Sequence, residues 1–187
     1  NTTVMYCESP GTMTFRVLDL SMIADIARKY GITTVLDNTW ATPLFHKPLE
    51  YGIDVVVHSC TKYMGGHIDI VAGGVVSKKT FIEQVFDEAF MQHGGVPGPF
   101  ESLLLLRGLR TLPDRMLRHQ SSALEIATYL SKHSKVKRVF YPGLCSDEDH
   151  TLSKKFLRGY SGVFSFEVDC TSYERLCGAI NACHRFK

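Results

Sequence analysis

Leu36-Asp37-Asn38-Thr39 and Ser59-Cys60-Thr61-Lys62 each follow a short β-branched, apolar run: Thr33-Thr34-Val35-Leu36 before the first block, Asp54-Val55-Val56-Val57 before the second. Runs of this length bounded by turn residues read as buried strands. A carboxylate, Asp37, therefore sits at the end of one strand. A lysine, Lys62, stands just past the end of the next, with the hydroxyls of Ser59 and Thr61 beside it. In an open α/β sheet both blocks face the crevice outside the carboxyl ends of the strands, where ligands bind.

Taken singly, these residues have ordinary readings. Most lysines are solvated. An aspartate after a strand often caps the next turn, and loop hydroxyls are common. Together they form a set with one chemistry. An amine that makes a Schiff base, a carboxylate that pairs with a pyridinium nitrogen and hydroxyls that hold a phosphate are what pyridoxal phosphate needs. We therefore read Lys62 as catalytic and cofactor-binding, and Asp37, Ser59 and Thr61 as cofactor-binding. His67 and Asp69 read as residues that order the loop after Lys62. Trp40 suits either the core or a pocket wall, and Arg107 and Arg110 suit pairing with acids. The histidines show no metal-ligand spacing, so no metal site is expected.

The bulk composition narrows the class. The chain has 187 residues, 44% hydrophobic and 21% charged, with a formal net charge of +2. That balance fits a globular protein and gives no reason to expect nucleic acid or an anionic membrane as partner. No apolar run is long enough to span a bilayer, and no signal peptide is visible. The six cysteines form no C-x-x-C pair, so they read as reduced thiols in a cytoplasmic protein. Cys60, next to the lysine block, is the thiol expected to be reactive.

Periodicity gives the order strand, helix, strand, strand, strand, helix for the first part. Asp19 caps a helix with an apolar stripe of Met22, Ile23, Ile26, Ala27 and Tyr30, and Gly31 ends it. Val71–Val76 reads as another buried strand. Phe81, Phe86 and Phe90 read as the core stripe of the next helix. Glu101–Leu112 is helical, Pro113 should break or kink it, and a second helix runs to about His133. A strand at Val136–Tyr141, a short helix near Leu152–Leu157, an alternating strand at Val163–Val168 and a helix over Tyr173–Ala182 complete the chain. The fold class is α/β: a mostly parallel sheet in residues 1–112, then a bridging helix and part of a smaller α+β domain in 113–187.

With these residues in place the chain resembles the Cys/Met-metabolism family of pyridoxal-phosphate enzymes. The resemblance rests on Glu8-Ser9-Pro10, Asp37–Pro43, His58–Tyr63 with Gly66–Asp69, Leu106–Leu112, Arg138–Leu144 and Gly162–Phe166. It implies the aminotransferase-like fold type I and carbon–sulfur bond chemistry. It also implies an active site shared between subunits of a homodimer or homotetramer. Glu8-Ser9-Pro10-Gly11-Thr12 and Trp40 are similar to the bacterial-type cystathionine β-lyases. Elimination from cystathionine is thus the expected activity, with γ-elimination or γ-replacement as the alternative and a small sulfur amino acid as substrate. Family chains are roughly twice this length, enough for two full domains. The ring-stacking tyrosine and the arginine for the substrate carboxylate are expected outside residues 1–187, so the isolated chain is expected to be an inactive fragment.

Overall fold

The structure, a computed structural model, describes residues 1–170 and 172–184. Strands β1 (Val4–Glu8), β2 (Thr33–Asp37), β3 (Val55–Ser59) and β4 (Gly73–Ser77) form one sheet in chain order. The first three run parallel, and β4 pairs antiparallel with β3. Helix α1 (Leu20–Tyr30) makes the crossover that the parallel β1–β2 pair requires. Between β2 and β3 lie the short helix α2 (Thr42–Phe45) and a 3₁₀ turn at Pro48–Tyr51. The register sets Glu8, Asp37 and Val57 level across three strands. Lys62 falls in the connection from β3 to β4, just beyond that level.

Helix α1 has the expected caps. The Asp19 side chain accepts from the Met22 N–H at 3.1 Å, and Gly31 ends the helix at φ 65°. Its inward face matches the expected one only in part: Ala27 is buried and Ile23 packs half-buried against the core. Leu20, Ala24 and Ala27 are buried, while Met22, Ile26 and Tyr30 are exposed. The two alanines let the helix approach the sheet closely, and Leu20 joins Val17, Leu36, Ile53, Val56 and Phe156 in one cluster. Leu20 and Leu36 are completely enclosed, each contributing about 2 kcal/mol by removal from water.

Three expectations fail for a common reason, a lack of neighbours among the described residues. β2 is not buried on both faces but alternates, with Thr34 and Leu36 enclosed and Val35 and Asp37 half-buried. β4 is an edge strand whose Val75 and Val76 are exposed. The phenylalanine stripe is not core either. Helix α3 (Lys79–Val85), a π turn at Phe86–Phe90 and helix α4 (Met91–His93) bury no residue, and Phe86 stacks on Phe90 in the open.

Helix α5 runs unbroken over 33 residues from Pro99 to Ser131, with Pro113 inside it. Proline removes one backbone donor from the helix ladder. Here the helix survives because Leu112 and Met116 are anchored in the core on either side. Arg115 Nη2 also donates to the Gly108 carbonyl at 2.7 Å. Beyond α5, β5 (Val136–Phe140) and β6 (Ser165–Val168) pair antiparallel, with α6 (His150–Phe156) between them and α7 (Tyr173–Asn181) after. The second core cluster joins Phe15, Trp40 and Phe45 to Leu112, Met116, Val139, Tyr141 and Leu157, so it draws on both halves of the chain. Trp40 belongs to this core, its indole N–H donating to the Val163 carbonyl at 2.9 Å. No helix among the described residues is long and apolar enough to cross a membrane.

Candidate active site

Asp37 is the last residue of β2, on the half-open face of the sheet. Its two oxygens are held from two sides. Tyr6 Oη, from β1, donates to Oδ2 at 3.2 Å, and the Thr39 N–H donates to Oδ1 at 2.8 Å. A carboxylate has about four acceptor sites, so room remains for a further donor such as a ring N–H. The proximity of Asp37 raises the Tyr6 phenol pKa, second to burial.

Ser59 ends β3, two residues past Val57 and so on the same face as Asp37. Its N–H donates to Thr39 Oγ1 at 2.7 Å. Its own hydroxyl engages no partner among the described residues. The chain then coils: Lys62 N–H donates to the Ser59 carbonyl at 3.1 Å, Gly65 N–H to Cys60 at 2.8 Å and Gly66 N–H to Lys62 at 2.8 Å. Lys62 is exposed on this coil. The lysines with an acid partner among the described residues are Lys47, Lys79, Lys137 and Lys155. The Lys62 amine is left uncommitted.

Thr61 is placed differently. Its hydroxyl donates to the Ala72 carbonyl at 3.3 Å and accepts from the Ala72 N–H at 3.0 Å. It closes the Lys62 loop onto the start of β4, and reaching a phosphate requires it to release that carbonyl. Cys60 is not the reactive thiol expected. It is 2% exposed, its sulfur lies 3.8 Å from Met64 Sδ, and burial pushes its pKa up. A buried thiol in apolar surroundings stays protonated and unreactive. His67 orders the loop through the Gly65 carbonyl at 2.8 Å, and Asp69 pairs with Arg107.

Four residues of the site escaped the sequence reading. Tyr6 and Thr39 hold Asp37. Arg115 holds the Lys62 coil from α5, its Nη1 donating to the Tyr63 carbonyl at 2.7 Å. His58, next to Ser59, is 5% exposed with an unpartnered Nδ1. Burial lowers its pKa, and Asp37 offsets part of that shift. The alternation of β1, which puts Tyr6 and Glu8 on the face of Asp37, was a signal available for Tyr6. Nothing in the sequence pairs Arg115 with residue 63. Among the described residues no cluster of three His, Cys, Asp or Glu side chains could hold a metal.

A parallel sheet with a free amine, a carboxylate and a free hydroxyl at its strand ends is an α/β scaffold of the cofactor-binding kind. The chain belongs to the Cys/Met metabolism PLP-dependent enzyme family, whose pattern matches residues 1–186. It is 44% identical to a cystathionine beta-lyase of Coxiella burnetii, over 90% of this chain and 44% of that one. It is 41% identical to an L-alanine/L-glutamate racemase of Wolbachia pipientis, over 90% and 42%. The crystal structure of cystathionine gamma synthase from Xanthomonas oryzae pv. oryzae superimposes with a TM-score of 0.93 at 34% identity, covering 99% of this chain and 48% of that one. The chain thus spans less than half the length of these relatives. Its fold is the aminotransferase-like α/β fold of pyridoxal-phosphate enzymes, and its cofactor is pyridoxal phosphate. The residues present fit that group: the Lys62 amine and Ser59 hydroxyl are unspent, and Asp37 is fixed with acceptor capacity to spare.

Proposed function

We propose that this chain carries the cofactor half of a pyridoxal-phosphate-dependent carbon–sulfur lyase, which splits cystathionine by β-elimination into homocysteine, pyruvate and ammonia. The observation that carries the reading is the uncommitted Lys62, just past the end of β3, at the same carboxyl end of the sheet as the doubly held Asp37. The likeness to a cystathionine beta-lyase at 44% identity supports it. When bound, pyridoxal phosphate supplies an electron sink for the negative charge left at the substrate Cα.

The chain's own residues do the rest. The Lys62 amine would hold the cofactor covalently and, once free, would take the Cα proton of the substrate. The Asp37 carboxylate keeps the ring nitrogen protonated, and Tyr6 and Thr39 keep that carboxylate aimed. Ser59 donates a hydrogen bond to the phosphate, and Thr61 a second once it leaves the Ala72 carbonyl. The 59–66 coil fixes the path of Lys62 between these two ends.

A second reading, γ-elimination or γ-replacement on the same residues, draws support from the likeness to cystathionine gamma synthase. We read residues 1–112 as the part of the large cofactor domain and 113–187 as the bridging helix and part of the small domain. The partner is a small sulfur amino acid, the assembly a homodimer or homotetramer and the compartment the cytoplasm. The test is product analysis with cystathionine and pyridoxal phosphate on a full-length enzyme that contains residues 1–187. Pyruvate with homocysteine supports β-elimination; 2-oxobutyrate with cysteine supports the γ reading. Inversion of alanine without thiol release contradicts both.

A further inference from the structure

We propose that Thr39 is a positioning residue that sets Ser59 relative to Asp37, and so fixes the phosphate end of the cofactor site. This deepens the cofactor-site reading above and rests on it. β2 ends at Asp37, while β3 continues two residues beyond the level of Asp37, to Ser59. The last ladder bond between them runs from the Asn38 N–H to the Val57 carbonyl, at 2.9 Å. Asn38 then turns inward. It is 1% exposed and donates to the His46 carbonyl at 2.9 Å. The backbone of β2 is thus drawn away from the end of β3, and the Ser59 N–H loses its neighbour.

The Thr39 side chain takes that place. Its Oγ1 accepts from the Ser59 N–H at 2.7 Å, while its own N–H holds Asp37 Oδ1 at 2.8 Å. One residue therefore ties the ring-nitrogen carboxylate to the hydroxyl that faces the phosphate. Only a short methylene–oxygen link would join the cofactor's ring to its phosphate, so the two protein groups would have to keep their separation within a narrow range to meet both ends. A binding constellation left loose by a fraction of an ångström loses much of its affinity.

Removal of the Thr39 hydroxyl should be felt at the phosphate end and not at the ring. The measurement is the dissociation constant of pyridoxal phosphate and of pyridoxal, which lacks the phosphate, for wild type, Thr39→Val and Thr39→Ser. In Thr39→Val the preference for the phosphorylated form falls about tenfold, the equivalent of one hydrogen bond, and Thr39→Ser restores it to within about twofold. In a Ser59→Ala background Thr39→Val has no further effect on that preference. An unchanged preference in Thr39→Val overturns the proposal, whatever happens to either affinity alone, because general loosening weakens both ligands alike. Failure of the serine variant to restore it also overturns the proposal. If Thr39→Val fails to fold, Thr39→Ala is read by the same criterion. A wild-type protein with no preference for pyridoxal phosphate over pyridoxal contradicts the cofactor-site reading itself.

Discussion

Arg115 on α5 donates from Nη1 to the carbonyl of Tyr63, the residue after Lys62, at 2.7 Å. The same guanidinium spans the Gly108 carbonyl at 2.7 Å and Thr111 Oγ1 at 3.0 Å. One side chain thus braces this turn of α5 and fastens the lysine coil to the helix. Arg115→Met should cost about 2 kcal/mol in denaturant unfolding, the range for hydrogen bonds to a charged group. Arg115→Lys should recover only part of it, since an ammonium cannot span three acceptors in one plane. Full recovery by lysine would show that charge alone matters at this position.

Two helical glycines should respond in opposite directions. A Cβ on Gly108 would lie 2.3 Å from the Gly65 carbonyl oxygen, whereas a Cβ on Gly178 in α7 meets nothing within 4 Å. Gly108→Ala forces the helix off the lysine coil, at a cost of about 1–3 kcal/mol or more. Gly178→Ala should stabilise by about 0.5–1 kcal/mol through helix propensity alone. Comparison of urea midpoints tests the pair. Equal effects would mean that α5 does not rest on the 64–65 backbone.

His46 predicts acid sensitivity. It is 1% exposed, with Nδ1 2.8 Å from Asn38 Oδ1 and Nε2 unpartnered. Burial, aided by the charge of His58, lowers its pKa from 6.5 to about 4. Between those values the unfolded chain binds a proton that the folded chain refuses. Stability therefore falls as pH drops from 6.5 towards 4, by on the order of 3 kcal/mol, and is retained above 6.5. His58, also lowered by burial, adds in the same direction. Unfolding of His46→Gln at pH 4.5 and 7 should show a smaller difference than wild type. An equal difference would place the sensitivity elsewhere.

Asp37→Ala should leave the sheet intact, because the side chain is half-buried and its donors can turn to water. It should weaken pyridoxal phosphate binding and slow Cα-proton removal, with a loss of about 1.5–3 kcal/mol for the charge-assisted bond. Deuterium exchange at the substrate Cα, in a full-length enzyme that contains this chain, measures the second effect. Unchanged exchange would mean that the carboxylate does not face the ring.

The sequence was most legible where local chemistry acts alone. Asp19 and Gly31 mark the ends of α1, and the two β-branched runs mark β2 and β3, because caps and strand periodicity need no tertiary partner. The face that α1 buries was read only in part: Ala27 and Ile23 face the core as expected, but Leu20 and Ala24 join them in place of the larger Ile26 and Tyr30. Pro113 was read as a break or kink because the core contacts that hold the helix on either side of it, at Leu112 and Met116, are tertiary. Of the site, Asp37, Ser59 and Lys62 were legible as strand-end residues. Tyr6, Thr39 and Arg115 were not, since their roles depend on strand register and on a helix that folds back over residues 63–66.

In the proposed site Lys62 is the residue that carries pyridoxal phosphate. Borohydride reduction of the protein with the cofactor, followed by peptide mass spectrometry, tests it directly. The expected result is a pyridoxyl group on the peptide containing Lys62, absent in Lys62→Ala. A pyridoxyl group found instead on Lys78 or Lys79, or one that persists in Lys62→Ala, would contradict it.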